Sequence, residues 1–85
     1  MKIKKNAFGD YLIYKDGINK GYTLKIMGMY KVFNKKGLVG YILKREDEYI
    51  SYDCMGNAIE IGDFETLLIN FFKQKKGWNF SPFKF

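Results

Sequence analysis

Turn-forming residues divide the first sixty positions into short apolar segments, and this spacing is the strongest constraint on the fold. Gly, Asp and Asn recur between segments of four to seven residues. Each segment is too short for a typical helix, and several alternate apolar and polar residues as strands do. The pattern predicts a β-meander of about five strands. The predicted strands cover residues 11–14, 21–27, 29–33, 38–44 and 48–52, and residues 58–61 form a further short segment that is either a strand or the approach to a helix.

The hydrophobic period changes after residue 62. Apolar residues then recur at helical spacing, which predicts a helix over residues 63–76. Asp63 is the expected N-cap, and Gly77 is the expected left-handed residue after the last turn. Trp78 would then pack back on the helix. The apolar arc of the predicted helix contains Phe64, Leu67, Leu68, Phe71 and Phe72.

These elements predict one α+β domain over residues 1–85. It consists of a strand-rich part (11–61), an amphipathic helix packed on one face of the sheet, and an aromatic tail (77–85). We expect the tail to fold over an open end of the small core, in preference to inserting into a partner. The predicted core contains Leu24, Ile26, Val32, Tyr41, Leu43, Ile50, Leu67, Leu68 and Phe71.

A five-residue motif occurs twice, as GYTLK at 21–25 and as GYILK at 40–44. A period near twenty is shorter than most solenoid repeats. The repeat therefore predicts two hairpin arms with the same turn chemistry, in preference to a duplicated binding motif. In each arm the glycine permits a bulge or a close backbone approach, and the tyrosine and leucine face the core. Lys25 and Lys44 then share the outer face, which Lys31 joins if its strand lies alongside.

The lack of histidine and the single cysteine, Cys54, limit the chemistry available to this chain. A lone cysteine excludes an internal disulfide and an all-cysteine zinc site, and histidine is the commonest general base and metal ligand. Neither a phosphate-binding loop nor a nucleophile elbow is present. Three consecutive acids, 46–48, are typical of a solvated turn. The sequence predicts a non-enzymatic protein without metal or cofactor.

A single cysteine is also typical of proteins in a reducing compartment, so we expect a cytoplasmic protein. No apolar run approaches the length of a membrane-spanning helix. The basic start of the chain lacks the hydrophobic stretch of a signal peptide. The sequence therefore predicts no membrane association.

The net charge of +6 is distributed in three blocks. Residues 1–44 carry ten lysines and two acids (+8), residues 45–65 carry one arginine and seven acids (−6), and residues 66–85 carry four lysines (+4). Such asymmetry points to charged partners, although a low-G+C genome would also enrich Lys, Ile, Asn, Phe and Tyr without selection for binding. The residues predicted to contact an anionic partner are Lys25, Lys31, Lys35, Lys36, Lys44 and Arg45.

Nucleic acid is the first partner that this pattern predicts. Lysines supply phosphate contacts, and exposed aromatic rings supply base stacking. Three strands followed by a helix over residues 29–76 resemble, in element order, the AP2-like and phage-integrase arm-binding domains, which implies a sheet that contacts the major groove. Arg45 is the sole arginine, and base-specific proteins prefer arginine, so we expect largely non-specific binding.

A protein partner is the second hypothesis. The charge order and the aromatic tail suit a small protein that inhibits or bridges a larger nucleic-acid-handling protein, as phage-encoded anti-CRISPR inhibitors do. A homodimer through a free edge of the sheet is the third hypothesis, because a small core gains stability from association. The residues predicted for protein contacts are Glu46, Asp47, Glu48, Trp78, Phe80, Phe83 and Phe85.

Overall fold

The structure, a computed structural model, describes residues 1–73. These residues form one antiparallel sheet, in which the strands lie in chain order, followed by one helix. The predicted α+β meander with a C-terminal helix is therefore confirmed. The elements are β1 (Lys2–Lys5), β2 (Tyr11–Lys15), β3 (Ile18–Ile26), β4 (Met29–Asn34), β5 (Gly37–Arg45), β6 (Glu48–Asp53), β7 (Ala58–Gly62) and α1 (Phe64–Lys73).

The number of strands is seven rather than about five. The first additional strand, β1, reads KIKK and has too little apolar character to be recognised from its sequence. Its one apolar side chain, Ile3, lies directly opposite Ile13 of β2 and packs against the core. The second, β7, is the segment at residues 58–61 that the sequence predicted as either a strand or the approach to the helix.

Three successive hairpins, β2–β3, β4–β5 and β6–β7, share one register. In each hairpin the second strand has an unpaired bulge residue at the equivalent position, namely Lys20, Val39 and Ile59. GYTLK and GYILK lie in the second strands of the first two hairpins, which confirms that the repeat marks two hairpin arms.

The turns of the two arms share the glycine with positive φ that the repeat predicted, at Gly17 and Gly37 (φ 128°), but they differ in their other residues. In the first turn both Asp16 (φ 54°) and Gly17 (φ 79°) have positive φ, as a type I′ hairpin requires. In the second turn neither Lys35 nor Lys36 does. The amide of Lys36 instead donates a hydrogen bond of 2.8 Å to the Asn34 side-chain oxygen. The two copies of the repeat therefore share their strand chemistry and the turn glycine, but not the conformation of the two residues between the strands.

The helix packs on one face of the sheet, which we call the helix side. Ile13, Val32 and Ile42 are fully buried there beneath Leu67 and Leu68 of α1. Asp63 caps the helix as predicted, because its side chain accepts a hydrogen bond of 3.2 Å from the Thr66 amide. The expectations for residues 74–76, Gly77, Trp78 and the tail lie outside the described residues.

The predicted core is only partly correct. Val32, Leu67, Leu68 and Phe71 belong to the buried cluster, together with Ile13 and Ile42. The other five predicted core residues lie on the opposite face, because residues directly across antiparallel strands share a face and these residues align in two rows away from the helix. These misassigned residues are Leu24, Ile26, Tyr41, Leu43 and Ile50.

Two glycines explain why the helix lies on the side that looks less apolar in sequence. A Cβ at Gly21 would lie 2.7 Å from the Phe72 ring and even closer to the Phe33 carbonyl oxygen. A Cβ at Gly40 would lie 2.7 Å from the Phe71 ring and would overlap the Tyr52 carbonyl oxygen. The glycine of each GY motif therefore allows a phenylalanine ring to contact the sheet backbone. The prediction of a close approach at these glycines is confirmed.

Candidate functional site

Two of the three lysines that were expected to share one face do so, and that face is the helix side. Lys25 lies in the row of Tyr30 and Ile42, which places it on the helix side. Lys44 lies opposite Tyr49, also on the helix side. Lys31 lies directly opposite Leu24 and Tyr41 on the other face. Their role in binding remains a prediction, and Lys31 does not belong to the face that Lys25 and Lys44 share.

The remaining predicted basic residues lie at the ends of strands. Lys35 and Lys36 form the exposed turn between β4 and β5, and Arg45 is the last residue of β5. Arg45 lies directly opposite Glu48, the first residue of β6. Lys35 and Lys36 therefore lie at the opposite end of β5 from Lys44 and Arg45, so the predicted basic residues do not form one patch.

The helix side carries a pattern that sequence reasoning missed, in which each of three lysines lies opposite a tyrosine. The pairs are Lys5–Tyr11, Lys25–Tyr30 and Lys44–Tyr49. In each pair the lysine Nζ lies over the tyrosine ring, at 5.8, 5.4 and 5.8 Å from its centroid. Cation–π contact at this distance is attractive but weak at exposed sites.

Phe64, the first residue of α1, joins the three tyrosines into one cluster. Its ring centroid lies 4.9 Å from that of Tyr11, 4.7 Å from that of Tyr30 and 5.3 Å from that of Tyr49. The tyrosines recur every 19 residues, because each is the first or second residue of the first strand of a hairpin. This spacing is the sequence signal that indicates a third copy of the repeat, the hairpin β6–β7.

Acidic groups near the cluster limit its positive charge. The Asp10 carboxylate accepts a hydrogen bond of 2.9 Å from the Lys25 amide. Asp63 lies immediately before Phe64, and two hydrogen bonds from Thr66, one from its hydroxyl and one from its amide, hold the Asp63 pKa below its ordinary value. The lysine–tyrosine pairs therefore form a mixed surface and not a strongly basic one.

The opposite face of the sheet, which we call the helix-free face, is apolar over most of its area. No described element packs on it. Tyr22 and Phe33 stack there with ring centroids 5.0 Å apart, and Leu24 and Ile26 are 38% and 42% exposed. The large apolar side chains of this face are Leu12, Tyr14, Tyr22, Leu24, Ile26, Met29, Phe33, Leu38, Tyr41, Leu43, Ile50, Tyr52 and Ile61.

Charged groups are few on the helix-free face. Lys31, half-buried in the central strand, is the charged residue in the middle of this face. Lys2 and Lys4 lie on the edge strand β1, and the Lys4 Nζ lies 5.6 Å from the Tyr14 ring centroid. Arg45 and Glu48 lie at one end of their strands. The centre of the face is therefore suited to apolar contact.

The residues predicted for protein contacts are separated from one another. Glu46 and Asp47 form the exposed β5–β6 turn, and Glu48 begins β6. As predicted for a solvated turn, all three are exposed. The aromatic residues Trp78, Phe80, Phe83 and Phe85 lie outside the described residues.

Cys54 is exposed in the β6–β7 turn. Burial tends to raise the pKa of the neighbouring Asp53, but hydrogen bonds from Asn57 and from the Met55 amide outweigh it and lower that pKa. Asp53 therefore organises the turn as an ordinary Asx motif. Among residues 1–73, no cluster of three or more His, Cys, Asp or Glu side chains could hold a metal ion.

Comparison of this chain with protein-family models, with curated proteins and with solved structures gave no significant match. In the described part of the chain, no helix is long and apolar enough to cross a membrane.

Proposed function

We propose that this chain is a non-catalytic protein-binding module and that its binding surface is the helix-free face. One observation carries the proposal: thirteen large apolar side chains lie on a sheet face that no element of residues 1–73 covers. An antiparallel sheet with one solvated face alternates apolar and polar residues along its strands. Here both faces are apolar, which is the pattern of a sheet that is covered on both sides.

The chemistry of the face favours a protein over nucleic acid. Tyrosine and phenylalanine are enriched at the centres of protein interfaces, where charged residues are depleted. A surface that binds a nucleic-acid backbone needs several cations beside its aromatic rings. In the middle of the helix-free face, Lys31 is the one cation among the described residues.

Site-specific photo-crosslinking in the cell that naturally makes this protein tests this proposal. A photoreactive phenylalanine analogue at Leu24 is expected to form covalent adducts with protein. The same analogue at Glu65, which is exposed on the helix, is the matched control and is expected to form far fewer. Equal yields at both positions, or adducts that nuclease removes from Leu24, would contradict the proposal.

A second candidate function is binding of a nucleic-acid backbone by the lysine–tyrosine pairs. The observation that favours it is the threefold repetition of the pair on one side of the molecule. A plot of log affinity against log salt has a negative slope, and each neutralised phosphate makes it steeper by roughly 0.7–0.9. Replacing Lys5, Lys25 and Lys44 with Gln should therefore make the slope shallower by about 2–3.

The control for that measurement removes the same charge from elsewhere. Substitution of Lys15, Lys20 and Lys73 with Gln should change the slope by less, because these lysines lie outside the three pairs. Fluorescence anisotropy with a labelled single-stranded oligonucleotide measures both variants. If affinity is undetectable at low salt, or if the two triple variants lose it equally, the pairs are not a nucleic-acid site.

A further inference from the structure

We infer that the protein bound by the helix-free face is a second copy of this chain, packed face to face as the two layers of a β-sandwich. The inference rests on the proposed function and names its partner. It differs from the edge-paired dimer considered from sequence, because the contact uses the side chains of one face and leaves β1 and β7 unpaired.

The area of the face agrees with what a stable dimer needs. Seven strands at about 4.8 Å spacing give a width of about 29 Å, and five residues per strand give a height of about 17 Å. The flat area is therefore about 500 Å², and the projecting side chains increase the accessible area. Specific interfaces bury about 800 Å² per partner, and the lower bound is about 500 Å².

A single extended segment is too narrow to cover this face. A single strand is about 4.8 Å wide, whereas the face is about 29 Å wide. A second sheet has the required width, because sheets pack face to face at about 10 Å with their side chains interdigitated.

The distribution of charge is compatible with a symmetric contact of one particular orientation. Because the strands follow chain order, the charge blocks of the sequence become a gradient across the sheet. Residues 1–28 carry six lysines and two aspartates, net +4, whereas residues 46–65 carry seven acids and no base, net −7. A two-fold axis parallel to the strands places β1 of one copy, whose Lys2 and Lys4 lie on the helix-free face, over β7 at the net-negative edge of the other copy.

Lys31 is expected to weaken this contact, because it places like charges near each other. It lies in β4, the middle strand, and this two-fold axis brings the two Lys31 side chains near each other. Its half-buried aliphatic part can lie along Leu24 and Tyr41 while the ammonium groups move apart. We therefore infer a reversible dimer, with a monomer present at low concentration.

Sedimentation equilibrium of the full chain, from low to high micromolar concentration, tests the inference. The mass is expected to rise from 10.0 kDa towards twice that value. Leu24→Glu would bury an unpaired carboxylate in the dimer, so we expect the dissociation constant to rise about a hundredfold or more. Leu24→Ser, a smaller change, should raise it about tenfold through lost apolar contact and an unpaired hydroxyl.

Met27→Glu is the matched control. Met27 is 93% exposed in the β3–β4 turn, so the substitution removes an exposed apolar side chain and adds the same charge outside the face. It should leave the dissociation constant within about twofold of wild type. Circular dichroism of all variants shows whether each one is folded.

Three results would overturn the inference. The first is a wild-type mass of 10.0 kDa at every concentration. The second is a dimer that persists in both folded Leu24 variants, which would indicate an edge contact. The third is a monomer in which nuclear Overhauser effects join the Leu24 methyl groups to the Trp78 ring, which would show that this chain's own C-terminal segment covers the face.

The crosslinking experiment separates failure of the inference from failure of the proposed function. If the Leu24 adduct has the mass of two chains, both statements are supported. If the chain is monomeric and the Leu24 adduct contains a different protein, the proposed function stands and the inference of a second copy fails. If the chain is monomeric and Leu24 forms no protein adduct, both fail.

Discussion

Gly40→Ala should be strongly destabilising, because the added methyl group has no space between the helix and the sheet. The new Cβ would lie 2.7 and 2.8 Å from two carbons of the Phe71 ring, and closer still to the Tyr52 carbonyl oxygen. Carbon pairs are comfortable at about 3.5–4.0 Å, so the ring must move by about 1 Å. The carbonyl belongs to the neighbouring strand and can move only if the β5–β6 pairing widens.

The expected loss of unfolding free energy is about 2 kcal/mol, from the upper end of the overpacking range. Overpacking of this kind costs about 1–3 kcal/mol or more, and the lower entropy of alanine in the unfolded chain returns about 0.4–1 kcal/mol. A chain of 85 residues has a total stability of about 4–13 kcal/mol, so this is a large share of it. With a urea slope near 1 kcal/mol per molar, the unfolding midpoint should fall by about 2 M.

Urea titration followed by far-ultraviolet circular dichroism measures the effect, and Gly62→Ala is the matched control. Its Cβ would meet only the Leu67 Cδ2 atom, at an ordinary 3.8 Å. The control should be neutral or stabilise by up to about 1 kcal/mol. The double variant Gly40→Ala/Phe71→Leu should recover part of the loss, because the smaller side chain relieves one of the two overlaps. If Gly40→Ala lies within about 0.5 kcal/mol of Gly62→Ala, the proposed packing of Phe71 on Gly40 is wrong.

Three further predictions concern other parts of the fold. The pKa of Asp63 is below its ordinary value of 3.8, so the ionised carboxylate stabilises the folded state above pH 3.8, and this stabilisation is lost as the pH falls through the folded pKa. Asp63→Asn should keep the helix cap and remove this pH dependence. A plot of melting temperature against pH should therefore be flatter on its acid side. Phe64→Ala should lower the unfolding free energy measured by urea titration by about 3 kcal/mol and Phe64→Leu by about 1–2 kcal/mol, because three tyrosine rings lose their shared contact. Equal losses for the two variants would contradict a specific contribution of the aromatic ring. Lys31→Met should tighten the proposed dimer about fivefold in sedimentation equilibrium, since like charges about 10 Å apart cost on the order of 1 kcal/mol, and unchanged affinity would exclude Lys31 from the interface.

The strand pattern predicted the order of elements well but did not predict which face of the sheet receives the helix. In β3, one alternating set is Tyr22, Leu24 and Ile26, and the other contains Gly21 and Thr23. Transfer energy alone assigns the first set to the core. The helix selects the second set instead, because its phenylalanine rings need small residues beneath them. Side-chain size across two packed layers decided the outcome, and periodicity within one strand carries no information about it.

The same limit explains which parts of the candidate sites could be predicted. Lys25 and Lys44 were correctly expected to share a face, because they occupy the same position in two copies of one motif. Lys31 was placed wrongly, since its face depends on the register between β3 and β4. The tyrosine spacing of 19 residues was readable in the sequence, but its meaning required knowing that Phe64 follows the third hairpin and contacts all three rings.

The single helix contacts the three hairpins in equivalent ways, which accounts for where the repeat is conserved and where it is not. At its last turn three consecutive helix residues, spaced by about 100°, point toward three different strands. Phe72 contacts Gly21 in β3 and Phe71 contacts Gly40 in β5. The equivalent position in β7 is Glu60, whose carboxylate oxygens accept hydrogen bonds of 2.9 and 3.0 Å from the Asn70 amide. The third hairpin therefore departs from glycine because the helix presents an amide there instead of a ring.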